Sequence, residues 1–185
     1  MQRGSVSLLG DSQMLRMRRV PWDAAEVEWC GNNHITGSGW TTRELLQAVR
    51  REASSLHTNC LILIGINDIT KYIPLSSIKN NISQIIKCLS KYNKNIFICT
   101  LPPTLHNQAS AIHQTVRDLN VYIQSFQTNL ITSIINLHKQ FPPFSPLIIS
   151  YYQQTYTNGK PDLIHLSAEG YAVLIRLINE AAPRP

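Results

Sequence analysis

A chain of 185 residues is long enough to bury a substantial core, and we predict a single domain over residues 1–185. Its 43% hydrophobic and 15% charged residues exclude an intrinsically disordered chain, and no apolar run is long enough to span a membrane. The formal net charge of +6 favours anionic partners, for which RNA and an anionic lipid surface are the candidates. The oligomeric state stays open.

Cysteine usage and the first apolar run predict a cytoplasmic, intracellular location. No two of the four cysteines have the C-x₂-C spacing of a zinc site, so we expect neither a metal nor reliance on disulfides. Cys60 and Cys99 lie in or beside apolar runs and are typical of buried thiols. The run Val6–Leu9 is too short for the hydrophobic region of a signal peptide.

Short apolar runs alternate with longer amphipathic segments along the chain. In chain order we predict strand Ser5–Gly10, strand Ala25–Cys30, helix Thr42–Ala53, strand Cys60–Gly65, helix Ser76–Tyr92, strand Asn95–Thr100, helix Gln108–Gln127, strand Leu130–Leu137, an irregular segment Lys139–Lys160 and helix Ser167–Ala182. This alternation indicates βαβ units with right-handed crossovers. The predicted fold is therefore a three-layer α/β/α domain with a mainly parallel five-stranded sheet.

Polar clusters follow the predicted strands, at the edge where open parallel sheets build their sites. Asp11 and Ser12 follow the first strand, a glycine-rich loop at 31–39 follows the second, and Gly65-Ile66-Asn67-Asp68 follows the third. A further cluster, Asp162-Leu163-Ile164-His165, precedes the last helix. We expect these four clusters to meet in space.

Acyl transfer needs a serine, a base and an orienting carboxylate, and these clusters contain all three. Ser12 is the candidate nucleophile and His165 the candidate base. Asp162 lies three residues earlier, so a tight turn would bring its carboxylate to the imidazole. The alternative is structural: Asp11 and Ser12 are also common helix-capping residues, and His165 alone is more typical of a structural histidine.

An oxyanion hole needs N–H donors, for which the sequence offers the backbone of Ser12, the backbone of Gly39 and the side chain of Asn67. Gly37 competes with Gly39, which the flanking Ser38 and Thr41 favour. Asp68 is interpreted as a helix-starting residue or as a residue that orients the Ser12 loop.

In these clusters the chain resembles SGNH (GDSL-type) hydrolases. Four segments match the family blocks in order, with Gln13 where an apolar residue is common: Gly10-Asp11-Ser12, Ser38-Gly39-Trp40-Thr41-Thr42, Gly65-Ile66-Asn67-Asp68, and Asp162-Leu163-Ile164-His165-Leu166-Ser167 followed by Gly170-Tyr171. The resemblance implies a flavodoxin-like fold and hydrolysis of short-acyl or lipid-like esters by Ser12, His165 and Asp162. It also implies oxyanion donors from Ser12, Gly39 and Asn67, without metal or cofactor.

The alternative function is a catalytically weak module that binds RNA through its basic surface. The hydrolase-like domain of the insect protein Oskar resembles this family and binds RNA without the catalytic set. The chain also resembles the esterase domain in the first open reading frame protein of LINE-type retrotransposons. A stripe of Lys79, Lys87, Lys91 and Lys94 is interpreted either as a solvated helix face or as a surface for polyanions. A third hypothesis, binding to a lipid surface, depends on residues 146–152.

Overall fold

The computed structural model describes residues 6–17, 33–105, 110–126, 130–141, 150–153, 155–156 and 158–181. Five strands form one sheet in which every neighbouring pair is parallel, in the order β2-β1-β3-β4-β5. The strands are β1 (Val6–Gly10), β2 (Ile35–Thr36), β3 (Asn59–Leu63), β4 (Asn95–Cys99) and β5 (Ser133–Ile135). The predicted α/β class and the flavodoxin-like strand order are therefore confirmed.

The strand order reverses direction at β1, and this reversal creates the crevice in which a site is expected. From β1 the chain moves outward to β2, and from β3 it continues on the other side of β1 to β4 and β5. Gly10, the last residue of β1, is in register with Thr36 of β2 and Leu63 of β3. The segments that follow these three strands therefore begin at the same level of the sheet.

Six helices and two 3-10 helices surround the sheet in the described part of the chain. They are α1 (Ser12–Met17), α2 (Thr42–Glu52), α3 (Ile66–Thr70), α4 (Leu75–Ser90), α5 (Ala111–Gln124) and α6 (Ala168–Ala181), with 3-10 helices at Ala53–Ser55 and Leu137–Gln140. Helix α4 packs against both α2 and α5, whereas α6 packs against β5. Because β1 is buried along its whole length, helices cover both faces of the sheet there.

Capping residues explain where two of the predicted helices begin. At the start of α2, the Glu44 carboxylate accepts a hydrogen bond from the Thr41 amide at 2.7 Å, which is half of a capping box. At the start of α6, the Ser167 hydroxyl accepts from the Gly170 amide at 3.3 Å. Both caps lie within one residue of the boundary that the sequence predicts.

The second strand is where prediction and structure differ. The predicted strand Ala25–Cys30 lies outside the described residues. Strand β2 instead consists of Ile35 and Thr36, which the sequence places in the glycine-rich loop. Two residues between His34 and Gly37 carry too little hydrophobic pattern to be recognised as a strand. Their pairing with β1 comes from the tertiary structure.

In the parts of the chain that the structure describes, no helix is both long enough and apolar enough to cross a lipid bilayer.

Candidate active site

Ser12, His165 and Asp162 form a continuous hydrogen-bonded chain at the carboxyl edge of the sheet. Ser12 Oγ lies 2.8 Å from His165 Nε2, and His165 Nδ1 lies 2.8 Å from Asp162 Oδ2. With the imidazole proton on Nδ1 and directed to the carboxylate, Nε2 is the acceptor for the serine hydroxyl. The structure thus brings together three residues of which the first and last are 153 positions apart.

Asp11 caps helix α1 and leaves the Ser12 side chain for His165. Asp11 Oδ1 accepts a hydrogen bond from the Gln13 amide at 2.9 Å, in the geometry of a helix N-cap. The side chain of Asp11 is buried, and burial, with the nearby Asp68 carboxylate, raises the pKa of Asp11 to about 7. Capping, which the sequence allowed for both residues, is therefore the role of Asp11.

One carboxylate organises the turn that carries the histidine. Asp162 Oδ1 accepts from the backbone amides of Ile164 at 3.1 Å and His165 at 2.9 Å, while Oδ2 faces the imidazole. Asp162 is fully buried. Because the same side chain holds the turn and the ring, the spacing of three residues is sufficient to orient His165.

The surroundings of His165 keep its imidazole neutral. Burial lowers the pKa of His165, the positive charge of Arg16 lowers it further, and the Asp162 carboxylate opposes both. A neutral imidazole whose Nε2 faces a hydroxyl is the state that a general base requires. In this arrangement the neutral imidazole can accept a proton from the Ser12 hydroxyl.

The structure distinguishes the two glycines of the second polar cluster. The Gly37 amide donates to Gly10 O at 3.2 Å, and a Cβ on Gly37 would lie 2.0 Å from the Trp40 ring. Gly37 thus provides space for Trp40, and its amide is used in the pairing with β1. Gly39 has a φ of +70°, which favours glycine, and no described residue accepts a hydrogen bond from its amide.

The Asn67 side chain lies between the nucleophile loop and the glycine loop. Its amide nitrogen donates to Trp40 O at 2.9 Å and lies 3.4 Å from Asp11 Oδ2. The second contact is at the long limit of a hydrogen bond, so that amide hydrogen is the one more readily redirected to another acceptor. Asn67 therefore reaches both loops that offer backbone donors.

Asp68 lies in the first turn of α3 and holds the start of helix α2 through hydrogen bonds. Its carboxylate accepts from the Thr42 amide at 2.8 Å and from the Thr42 hydroxyl at 2.6 Å. The residue that caps the Ser12 loop is Asp11, and Asp68 acts on that loop through its charge, which contributes to the raised pKa of Asp11. By bonding to Thr42, Asp68 links the third polar cluster to the second.

Arg16 lies beside Asp162 and Gln153. Arg16 Nη1 donates to Gln153 Oε1 and lies 3.9 Å from Asp162 Oδ2. The ring of Tyr156 packs edge-on against the ring of His165, with centroids 5.7 Å apart. Gln153 and Tyr156 belong to the segment predicted as irregular, and no pattern in the sequence marks them.

A small cavity adjoins the triad, with a volume of about 260 Å³ including its mouth. Its walls are mainly apolar, and the Thr104 hydroxyl on its lining has no hydrogen-bond partner in the described structure. The lining includes Asp11, Gln13, Leu63, Leu101, Thr104 and Ile164. Asp11 and Gln13 are the sequence neighbours of Ser12, and Ile164 precedes His165, whereas Ser12, Asp162 and His165 themselves are not part of the lining.

The described residues contain no group of three or more His, Cys, Asp or Glu side chains that is placed to hold a metal ion.

The lysines of the predicted stripe differ in their surroundings. Lys79 lies 5.1 Å from the centre of the Tyr122 ring and Lys94 donates to Leu56 O, whereas Lys87 and Lys91 are exposed. RNA binding and lipid binding stay predictions. In the lipid hypothesis, residues 146–149 lie outside the described residues, and Tyr152 is buried.

A sequence model of the GDSL-like Lipase/Acylhydrolase family matches residues 17–173. The matched range covers most of the chain and includes Asp162 and His165, and it begins five residues after Ser12. No curated protein matches the chain by sequence.

The solved structures that share this fold include a lipase, a carbohydrate esterase and a domain of Oskar. A GDSL-like lipase from Bacteroides thetaiotaomicron is 17% identical, with a TM-score of 0.76 over 97% of this chain and 87% of the other. The OSK domain of Drosophila Oskar is 19% identical, with a TM-score of 0.71 over 96% and 88% of the two chains. A carbohydrate esterase of family 3 from Talaromyces cellulolyticus is 14% identical, with a TM-score of 0.65 over 96% and 95%. At these identities the likeness extends to the fold alone.

Proposed function

Because the chain belongs to the GDSL-like lipase/acylhydrolase family, we propose that it is a serine esterase that uses Ser12, His165 and Asp162. The observation that carries the proposal is the pair of 2.8 Å contacts that join hydroxyl, imidazole and carboxylate in series. A serine hydroxyl is a weak nucleophile until a neighbouring base removes its proton, and this geometry supplies that base.

In the acylation step, Ser12 Oγ forms a bond to the ester carbonyl carbon while its proton passes to His165 Nε2. The Asp162 carboxylate stabilises the imidazolium that results. The amides of Ser12 and Gly39 and the side-chain amide of Asn67 donate to the oxyanion, and Asn67 exchanges its long contact with Asp11 for this one. Collapse then breaks the bond to the leaving alkoxide, which takes the proton from His165.

Deacylation repeats the sequence with water as the nucleophile. His165 removes a proton from water, the new C–O bond forms at the acyl carbon, and the bond to Ser12 Oγ breaks as the hydroxyl regains its proton. No cofactor takes part in this cycle.

The cavity beside the triad supports short acyl groups as the preferred substrates. Its walls are mainly apolar, which suits an alkyl group, and the enclosed part of the cavity is small, which favours a short one. We therefore expect acetyl and propionyl esters to be hydrolysed faster than esters of long fatty acids.

The test is hydrolysis of p-nitrophenyl esters of increasing acyl length by the wild type and by Ser12→Ala. We expect the substitution to lower kcat/KM at least about 10³-fold because it removes the nucleophile. Ser90→Ala, at the far end of α4, is the matched control and should leave the rate unchanged. Equal activity of Ser12→Ala and the wild type would refute the proposal.

A fluorophosphonate probe provides a second readout that needs no knowledge of the substrate. Such probes form a covalent bond with an activated serine, and the adduct is located by peptide mass mapping. We expect the adduct on Ser12 in the wild type and no adduct in His165→Ala. An adduct on another serine would place the nucleophile elsewhere.

A further inference from the structure

The side chain of Gln13 bridges the helix of the candidate nucleophile and the loop of the candidate base. Its amide nitrogen donates to Ile164 O at 2.7 Å, and its amide oxygen accepts from the Leu166 amide at 3.3 Å. Those two backbone groups lie on either side of His165. Gln13 itself is the residue after Ser12 and is only 3% exposed. One buried side chain therefore spans from the neighbour of the nucleophile to both neighbours of the base.

Tyr171 fixes this bridge from a third element. The Tyr171 hydroxyl, on α6, lies 2.8 Å from Gln13 Oε1 and 3.0 Å from Gln13 O, and its one proton is shared between these two acceptors. Tyr171 is also buried. The side-chain oxygen of Gln13 thus accepts two hydrogen bonds and its nitrogen donates one, which leaves little rotational freedom to the side chain.

An apolar side chain at position 13 would leave these partners unpaired. A methionine has nearly the length of glutamine but neither donates to Ile164 O nor accepts strongly from the Leu166 amide. Buried backbone groups without partners move or recruit water, and either change displaces the loop that carries His165. The 2.8 Å contact between Ser12 Oγ and His165 Nε2 depends on the position of that loop.

We propose that Gln13 is a positioning residue that holds the His165 imidazole at hydrogen-bonding distance from Ser12. The inference rests on the proposed esterase function and adds to it a residue that does not touch the reacting atoms. Displacement of a catalytic group by about 1 Å is enough to lower a rate roughly 100-fold. The expected signature is a loss in kcat together with a changed environment of the His165 imidazole; KM does not discriminate here, because Gln13 also lines the cavity proposed for the acyl group.

The experiment compares Gln13→Met, Tyr171→Phe and Ser7→Ala with the wild type. Ser7 is the matched control, because its buried hydroxyl also accepts a hydrogen bond from a backbone amide, that of His57 at 3.0 Å, but at the opposite end of β1. We expect kcat to fall roughly 10- to 100-fold in Gln13→Met and a few-fold in Tyr171→Phe. Ser7→Ala should lose thermal stability and keep kcat.

A spectroscopic readout separates positioning from general destabilisation. In protein labelled with ¹⁵N at histidine, the His165 Nδ1 proton is expected to give a downfield resonance because it bonds to a carboxylate. That resonance should shift or broaden in Gln13→Met and stay unchanged in Ser7→Ala.

The outcomes distinguish the two proposals. Activity in Ser12→Ala equal to the wild type would remove the esterase proposal itself. An inactive Ser12→Ala, together with a folded Gln13→Met that keeps kcat within about 2-fold and an unchanged His165 resonance, would overturn the positioning role alone. Should Gln13→Met fail to fold, Tyr171→Phe decides: an unchanged kcat and resonance overturn the role, and a lowered kcat with a shifted resonance supports it.

Discussion

Two histidines, His165 and His138, follow the sheet at its carboxyl edge, and burial is the largest cause that lowers the pKa of each. Their partners differ. His165 lies between the Ser12 hydroxyl and the Asp162 carboxylate, each at 2.8 Å. His138 Nδ1 lies 3.2 Å from Leu101 O and 3.2 Å from the side-chain nitrogen of Asn120. One histidine thus faces a hydroxyl and a carboxylate, and the other faces neutral amide groups.

The comparison shows that a lowered pKa does not identify a catalytic histidine. A buried imidazole that contacts a carbonyl and an amide completes a structural network, because neither group exchanges a proton at neutral pH. A carboxylate on one ring nitrogen and a hydroxyl on the other allow the ring to gain and release a proton. The chemistry of the two partners, rather than burial, therefore separates the roles. Three substitutions test this separation.

The largest expected effect is the loss of kcat when the carboxylate beside His165 is replaced, since His138 has no such partner among the contacts described above. Asp162→Asn preserves the shape of the side chain and an acceptor for the Ile164 and His165 amides, but it removes the charge that stabilises the imidazolium. We expect kcat to fall roughly 10²- to 10⁴-fold with the fold retained. Steady-state kinetics on the preferred short-chain ester, with circular dichroism as the folding control, measure this. A rate within a few-fold of the wild type would show that Asp162 is not part of the machinery.

A substitution in the hydrogen-bond network of His138 should lower the free energy of unfolding and leave kcat nearly unchanged. The Asn120 side chain accepts from the Leu101 amide at 2.7 Å and donates to Leu101 O at 2.9 Å, so it is the amide counterpart of the Asp162 turn. We expect Asn120→Ala to lower the free energy of unfolding by about 1–3 kcal/mol, because buried backbone groups lose their partners. Chemical denaturation measures the change, and kcat should stay within a few-fold of the wild type. A large loss of kcat without a loss of stability would contradict the distinction.

The smallest expected effect is on the pH profile. The positive charge of Arg16 disfavours the imidazolium form of His165, so Arg16→Ala should raise the pKa of His165. The base is then protonated at higher pH, and the acidic limb of kcat/KM against pH should move to higher pH. Arg176→Ala, on the exposed face of α6, is the matched control and should not move the limb. A shift to lower pH in Arg16→Ala would show that another effect of Arg16 dominates.

Most of the sheet could be predicted from the sequence because its strands are apolar and short. Strands β1, β3 and β4 agree with the predicted ranges to within about two residues, since buried parallel strands carry continuous apolar runs. Helix starts at Asp11-Ser12 and at Asp68 could be suggested from their capping residues, but the bounds of α1 and α3 could not, because segments of six and five residues show no measurable helical periodicity. Helix α1 packs against β1, and α3 packs against α5.

The candidate triad could also be proposed from the sequence, because its polar residues directly follow strands or precede a helix. In a parallel sheet such positions converge at one edge whatever the details of packing. The spacing between Asp162 and His165 is local, so a single turn determines whether the two side chains meet.

By itself, then, the sequence determined the alternation of strands and helices, the class of fold and the polar residues available at the carboxyl edge. These depend on hydrophobic pattern and on short-range spacing. Only the tertiary structure decided that the Gly37 amide is used by Gly10, that Asp68 binds Thr42, and that Gln13 bridges to a loop 151 residues further along the chain. The physical reason is that a hydrogen bond is specific to a few tenths of an ångström, whereas the sequence pattern places whole elements and leaves the partner of each polar atom to the packing between them.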